Sequence, residues 1–191
     1  MIYPIVAYGH PVLRTRAQEI QADHPGLSQL IADMYETMYN AKGVGLAAPQ
    51  IGKSVRIFVV DGSPMQGTLE DDPTPMEGWK KVFINPVKLN EFGEPWGYDE
   101  GCLSIPDVIE EVYREEHVHL RYMDENFVQY EETFAGLQAR VIQHEYDHLE
   151  GILFTDYLRG LRKQLVKSRL QRIAKGKYDS FYPMSFSQKS K

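Results

Sequence analysis

The sequence predicts an α+β fold in which antiparallel or mixed β-sheets pack around a central helix, with an N-terminal and a C-terminal helix beside them. Apolar residues recur at helical spacing in three separate stretches, and runs typical of strands lie between the first two stretches. No apolar run approaches the length of a membrane span. The 191 residues fit one domain. We assign residues 1–176 to this domain and residues 177–191 to a flexible C-terminal tail.

The first helix is predicted to follow an extended arm, residues 1–24, that turns at Gly9-His10-Pro11. The helix is expected to end near Lys42-Gly43, because a glycine there commonly terminates a helix. Its apolar stripe consists of Leu27, Leu30, Ile31, Met34, Tyr35 and Met38.

Gly43-Val44-Gly45-Leu46-Ala47-Ala48-Pro49-Gln50 is a glycine-containing segment directly after this helix. Two glycines separated by one residue suit a backbone that another group approaches closely, although a simple helix cap and turn would look the same. The spacing of a phosphate loop is missing, because six residues and not four separate Gly45 from Gly52-Lys53-Ser54, so this segment is not expected to bind nucleotide phosphates.

The middle of the chain predicts strands separated by loops. Residues 61–81 read as a long surface loop, and a strand after it is expected to bend at Pro86. His117 and His119 share one face of a later strand, where we expect solvated or cross-strand roles. The predicted strands are Val55–Val60, Val82–Leu89, a short one near Trp96–Tyr98, and a hairpin of Val112–Met123 and Phe127–Thr133 around Asp124-Glu125-Asn126.

The central helix is expected to run from about Phe134 to Glu150 and to stop at Gly151. Along it, apolar and histidine positions fall on one face, so the two histidines are expected to point inward: Leu137, Val141, His144 and His148. The last helix carries leucines at helical spacing. It belongs to a segment, Tyr157–Tyr178, with eight basic residues and no acid, in a chain of net charge −6.

The central helix carries the pattern His-Glu-x-x-His at His144, Glu145 and His148. Histidines four positions apart share a helix face, so both imidazoles can hold one metal ion. Glu145 can lie beside the metal without binding it and accept a proton from water that the metal has made acidic. The pattern also arises by chance, and both histidines could be ordinary helix residues.

A catalytic metal site needs a third ligand, and two known arrangements fail here. Phe154 stands where one group of zinc peptidases has a third histidine, and the basic segment offers no acid for the arrangement that uses a downstream glutamate. Cys102, the only cysteine, remains as a donor. Two histidines and a cysteine, with water in the fourth position, are a recognised open arrangement. A lone cysteine is, however, commonly just a small buried hydrophobe.

Taken together, three segments resemble the motifs of the peptide deformylase family in order and spacing. They are Gly43–Gln50, Glu100-Gly101-Cys102-Leu103-Ser104 and Gln143-His144-Glu145-Tyr146-Asp147-His148. The resemblance covers the chain from about Tyr3 to the start of the last helix. It implies a metal-dependent hydrolase that removes the N-formyl group from the formylmethionine of newly made polypeptides and releases formate.

The resemblance also implies a role for particular residues. Glu145 would act as general base, and the Gln50 amide and the Leu103 backbone N–H would stabilise the oxyanion. The glycine segment would pair with the peptide as an added strand. The metal ligands would be Cys102, His144 and His148, and the substrate-binding residues Val44, Gly45, Gly101, Leu137 and Val141.

The metal in such enzymes is commonly Fe²⁺, with Zn²⁺, Ni²⁺ or Co²⁺ as other occupants. The implied partners are N-formylmethionyl nascent peptides in the cytoplasm, and the basic C-terminal helix is expected to contact the ribosome. No membrane contact is expected. The chain departs from the family pattern at Asp107–Glu111, where many members have a basic residue, and in its longer loop at 61–81. A metallo-amidase or peptidase with another substrate and a non-catalytic metal clip remain as alternatives.

Overall fold

The computed structural model describes residues 1–69, 72 and 74–187, and its helices are close to those predicted. Helix α1 spans Leu27–Asn40, α2 spans Gly136–Glu150 and α3 spans Gly160–Ala174. Helix α2 ends where expected, at Gly151, whose φ of 74° is the left-handed conformation that glycine adopts readily. None of the helices described is long and apolar enough to cross a membrane.

The described residues form three β-sheets. Their strands, β1 to β9 in chain order, are Ile5–Val6, Gly45–Ala47, Ile57–Asp61, Lys80–Phe92, Trp96–Cys102, Ile105–Arg114, His117–Met123, Gln129–Ala135 and Met184–Ser185. The largest sheet, which packs against α2, is antiparallel with the strand order β2-β3-β4-β7-β8, so β2 is an edge strand. Strands β5 and β6 form an antiparallel pair, and β1 pairs in parallel with β9.

The side chains of β3 pack against a helix on each face of the large sheet. Phe58 and Val60 pack in one core cluster with residues of α2, whereas Ile57 and Val59 pack in a second cluster with residues of α1. Successive side chains of a strand point to opposite faces, so an unbroken apolar run needs a partner on each side. The two helices supply these partners, and the predicted α+β class is confirmed.

The predicted hairpin is confirmed only in part. Strands β7 and β8 pair from His117↔Ala135 to Met123↔Gln129, but residues 112–114 belong to β6, which pairs with β5 in a separate sheet. The chain crosses between the sheets at Glu115–Glu116, inside the stretch Val112–Met123 whose partial alternation predicted a single strand. Arg114 is buried and its charge is paired with Glu100 and Asp147, a tertiary effect that the alternation does not reveal.

Strand β4 bends where Pro86 interrupts its pairing. The register with β7 shifts between Ile84 and Val87, and Asn85 has a φ of 48°. The Asn85 side chain accepts a hydrogen bond from the Ile20 N–H at 3.0 Å and donates one to the Ile20 carbonyl at 2.8 Å. The expected bend is therefore a β-bulge that ties the N-terminal arm to the sheet.

The loop predicted over 61–81 is shorter and more buried than expected. Strands β3 and β4 reach Asp61 and Lys80, and Met65 and Met76 are buried in the core between them. Residues 70, 71 and 73 of this loop lie outside the described residues.

The C-terminal residues 177–187 follow α3 back to the N-terminal strand. Met184 and Ser185 pair with Ile5 and Val6, and the Tyr182 side chain is buried. Residues 188–191 lie outside the described part of the chain, and the division into a domain of residues 1–176 and a flexible tail stays a prediction.

Candidate active site

Three potential metal ligands meet where β5 ends against α2. The donor atoms of Cys102, His144 and His148 lie within 4.8 Å of one another. The Cys102 Sγ lies 3.3 Å from the His148 Nε2. The two histidines come from adjacent turns of α2, and the cysteine is the last residue of β5.

This donor set fits a divalent transition metal. Ligands of a tetrahedral site at about 2.3 Å (sulfur) and 2.1 Å (nitrogen) from the metal lie roughly 3.6 Å apart. One separation here is 3.3 Å and none exceeds 4.8 Å, so small side-chain movements would bring the donors into place. In the cleft that Cys102 and His144 also line, the Oε2 atom of Glu145 is buried and has no hydrogen-bond partner among the described residues. A water molecule or a substrate group would satisfy this oxygen.

Glu100 orients one of the histidines. Its Oε2 atom lies 2.9 Å from the His144 Nδ1, which leaves the other ring nitrogen for a metal. Burial alone would raise the pKa of Glu100, but hydrogen bonds from His144 and Arg114 outweigh it and lower that pKa. Burial likewise acts to lower the pKa of His144, yet hydrogen bonds to Cys102 and Glu100 raise it well above its ordinary value.

Two buried arginines complete the charge balance around Glu100. Arg114 bonds to Glu100 at 2.7 and 3.0 Å and to Asp147 at 2.7 Å, while Arg140 bonds to Glu100 at 2.9 Å. Sequence reasoning missed Glu100 as a site residue, although a position two before Cys102 on a strand shares its face. The sequence does not indicate Arg114 and Arg140 as site residues, because the residues they bond to are distant in sequence.

Glu145 lies in a protected position against the edge strand β2. It is 4% exposed, and burial raises its pKa to about 7. A Cβ atom placed on Gly45 would fall 2.8 Å from the Glu145 Cγ and Cδ atoms, closer than real Cβ contacts allow. The glycine therefore lets the strand and the carboxylate touch.

Gln50 and Leu103 both lie next to Cys102. The Gln50 Oε1 accepts a hydrogen bond from the Ala47 N–H at 2.8 Å, which turns its amide NH₂ toward the Cys102 Sγ at 3.6 Å and the Ser104 Oγ at 3.4 Å. Leu103 occupies the turn between β5 and β6, immediately after the cysteine. Both residues are therefore in reach of a group bound at the thiol.

A cleft of about 480 Å³ opens over these residues. Four of the predicted substrate-binding residues line it: Val44, Gly45, Gly101 and Val141. Leu137 lies one turn before Val141 in the core, 2% exposed, and its role in substrate binding stays a prediction. The sequence did not indicate several other lining residues: Met65, Tyr98, Ile109, Tyr178, Phe181 and Tyr182.

His117 and His119 lie away from this site, on β7. The His117 ring stacks on Phe92 at 4.9 Å, and the His119 nitrogens lie 2.9 Å from the Thr133 Oγ1 and 3.2 Å from Glu131. These are the cross-strand contacts that we expected.

The sequence model of the polypeptide deformylase family matches residues 2–164. The chain belongs to this family. A peptide deformylase from Christiangramia forsetii is 52% identical over the whole of this chain and 99% of its own length. Among solved structures, a peptide deformylase from Legionella pneumophila has a TM-score of 0.76 at 36% identity, covering 90% of this chain and 95% of its own. A variant of peptide deformylase 1B from Arabidopsis thaliana has a TM-score of 0.80 at 32% identity, covering 91% of each chain.

The deformylase is accordingly a metal-dependent hydrolase that removes the N-formyl group from nascent peptides. Membership in this family disfavours both alternatives, a peptidase with another substrate and a non-catalytic metal clip. The expected metal dependence agrees with the cluster of Cys102, His144 and His148.

Replacing Gly45 by alanine is expected to lower kcat/KM of the deformylase by about 10²-fold, because even a 1 Å displacement of a catalytic group has an effect of this size. The added methyl group would push Glu145 away from β2. Formate release by Gly45→Ala, by Glu145→Gln and by the double variant measures the effect. Because the methyl group acts through Glu145, it should lower the rate of the Glu145→Gln variant much less than that of the wild type. Equal losses in the two backgrounds would contradict the steric role of Gly45.

Proposed function

We propose that this deformylase acts on the N-terminal formylmethionine of newly made polypeptides and releases formate, with Cys102, His144 and His148 as its metal ligands. The observation that supports this most is the placement of buried Glu145 between the three donors and the edge strand β2. An extended peptide added to that edge would bring its first residue to the donors.

Fe²⁺ is the metal that we propose for the native enzyme, with Zn²⁺, Ni²⁺ or Co²⁺ able to replace it. A thiolate and two imidazoles are compatible with each of these ions. A divalent ion at this site supplies Lewis acidity, which makes water more acidic and polarises the formyl carbonyl.

The catalytic roles of the chain follow from the position of each side chain. Glu145 takes a proton from the attacking water and later gives it to the amine that leaves when the formyl C–N bond breaks. The Gln50 amide and the Leu103 N–H would donate hydrogen bonds to the carbonyl oxygen as negative charge develops on it. Each such donor contributes about 3–4 kcal/mol in comparable sites.

The substrate would be held by its backbone and by its methionine side chain. The edge strand β2 offers backbone groups for pairing with the peptide, and Val44 and Val141 provide apolar contacts in the cleft. The expected basic residue is missing after the cysteine motif, and Asp107 occupies that part of the cleft wall. Peptide binding beyond the methionine must therefore use other contacts.

Formate release from formyl-Met-Ala-Ser tests the proposed substrate, with acetyl-Met-Ala-Ser as the matched control. We expect stoichiometric formate and free Met-Ala-Ser from the first peptide, and little product from the second. Cleavage of a peptide bond without formate would refute the proposed activity. Metal analysis of protein purified without oxygen identifies the native ion; zinc alone in a fully active preparation would contradict the iron assignment.

We also propose that α3 contacts ribosomal RNA and that the enzyme works in the cytoplasm. Only Val166, Leu170 and Ile173 of α3 are buried, and most of its basic residues face outward. Arg162 is 3.3 Å from Glu111 and Arg169 donates to the Asp107 carbonyl at 3.1 Å, so these two arginines fasten the helix to β6.

Reversing the charge of Lys163 and Lys167 to glutamate is expected to weaken co-sedimentation with ribosomes by tenfold or more, because binding to a polyanion depends on such charges. Both lysines are exposed on α3. Wild-type binding should also weaken as salt rises. The same reversal at Lys53 and Arg121 controls for net charge. Equal loss in both double variants, or binding insensitive to salt, would argue against α3 as the contact.

A further inference from the structure

The C-terminal segment Tyr178–Tyr182 lies on the wall of the catalytic cleft. Tyr178, Phe181 and Tyr182 line the same cavity as Gln50 and Glu145. This segment follows α3, far in sequence from the three family motifs and beyond residue 164, where the family match ends.

Contacts on both sides hold the segment in place. At the start of the segment, the Tyr178 hydroxyl donates a hydrogen bond to the Asp107 Oδ2 at 2.7 Å. After it, Met184 and Ser185 pair with β1. Tyr182 is buried in the core cluster that contains residues of α1 and β2. The segment is thus attached to elements on both sides of the cleft.

Tyr182 reaches the backbone next to the metal ligand. Its hydroxyl donates a hydrogen bond to the Leu103 carbonyl at 2.7 Å. Burial raises the pKa of Tyr182, so the hydroxyl keeps its proton and remains a donor at neutral pH. Because Leu103 follows Cys102 in a turn between two strands, a bond to its carbonyl restrains the Leu103–Ser104 peptide unit, and through Leu103 the adjoining unit that carries the Leu103 N–H.

Phe181 has a different environment, although it is the neighbouring residue. Its side chain is 71% exposed, yet it stands at the cleft, with the Lys42 Nζ 5.5 Å from its ring. The centroids of the Phe181 and Tyr182 rings are 4.9 Å apart and the rings are perpendicular. The buried Tyr182 ring therefore packs against the exposed Phe181 ring. Ile109, also mostly exposed, lines the same cleft. An extended peptide leaving the site would find apolar surface here.

We propose that Tyr178–Tyr182 is a working part of the substrate cleft, in which Tyr182 is a positioning residue for the Leu103 donor and Phe181 contacts the peptide residues after formylmethionine. This inference rests on the proposed function. In a cleft that lacks the family's usual basic residue, Phe181 would provide an apolar contact for the peptide residues that follow formylmethionine.

Replacing Tyr182 by phenylalanine removes the hydroxyl and keeps the buried ring. We expect kcat for formyl-Met-Ala-Ser to fall about tenfold while KM changes less than twofold, because the donor acts mainly on the charge of the transition state. Tyr35→Phe is the matched control, since the Tyr35 hydroxyl also donates to a backbone carbonyl, that of Lys81 at 2.9 Å, away from the cleft. A loss of similar size in both variants, or an unchanged kcat in Tyr182→Phe, would overturn the positioning role.

Replacing Phe181 by alanine should change substrate preference. We expect kcat/KM to fall about five- to tenfold for formyl-Met-Leu-Phe and less than twofold for formyl-Met-Gly-Gly, since only the first peptide has apolar side chains after methionine to cover the ring. Tyr113→Ala is the matched control, because Tyr113 is 61% exposed on β6 and lies outside the cleft lining. Equal losses for both peptides would overturn the assigned contact.

The wild-type assay separates this inference from the proposed function. If the wild-type protein releases no formate from either peptide, the proposed function fails. If the wild-type protein is active and the Tyr182 and Phe181 variants match their controls, only the role of the C-terminal segment fails.

Discussion

Replacing Glu145 by glutamine is expected to lower kcat/KM for formyl-Met-Ala-Ser by about 10²–10⁴-fold, the usual contribution of a positioned general base. The amide has nearly the same shape as the carboxylate, so the contact with Gly45 should be kept. It cannot accept a proton at neutral pH, and the attacking water would lose its base. Formate release measures the change in rate.

Metal content distinguishes loss of the base from loss of the site. Glu145 is not among the three converging donors, so the variant should keep one metal ion per chain. Glu125→Gln, in the exposed turn after β7, serves as a control for removal of a carboxylate. Activity that survives in Glu145→Gln with metal bound would show that another group is the base.

Replacing Glu100 by glutamine is expected to lower the free energy of unfolding by about 3–5 kcal/mol, because buried Arg140 then loses its charged partner and buried Arg114 keeps only Asp147. Arg114 and Arg140 both bond to this carboxylate, and neither has bulk water beside it. The His144 ring would also lose its Nδ1 partner, so metal affinity should fall about 10–100-fold. Urea denaturation and metal titration measure the two effects.

Glu110→Gln is the matched control for that experiment. Glu110 pairs directly with Glu100 across β5 and β6, but its side chain is partly exposed. We expect less than about 0.5 kcal/mol of change there, as for most surface substitutions. A Glu100→Gln variant as stable as this control would show that the arginines find other partners.

Much of the fold could be predicted because its signals are local. The apolar stripe of α1, the stop at Gly151 and the bend at Pro86 each depend on neighbours within a few residues. The crossing between sheets at Glu115–Glu116 could not be predicted in this way. It depends on where Arg114 finds Glu100 and Asp147, and those partners come together only in the folded chain.

The candidate site likewise has residues with a sequence signal and residues that only tertiary contacts bring into place. Cys102, His144 and His148 could be named from the sequence because metal chemistry restricts ligand types and spacing, and family resemblance supplied the oxyanion donors. The positions of Arg140, Tyr182 and Phe181 could not, since an arginine in a helix or an aromatic residue in a tail has many ordinary roles. Only the tertiary structure places Tyr182 against Leu103.

The direct contact between Gly45 and Glu145 has a further consequence for which bond is cut. With no side chain between them, strand β2 lies directly against the carboxylate. In the proposed function, a peptide paired with that edge would therefore hold its first residue at a fixed distance from Glu145. Position along β2 would select the end of the chain, and the residues that follow would change only how tightly the peptide is held.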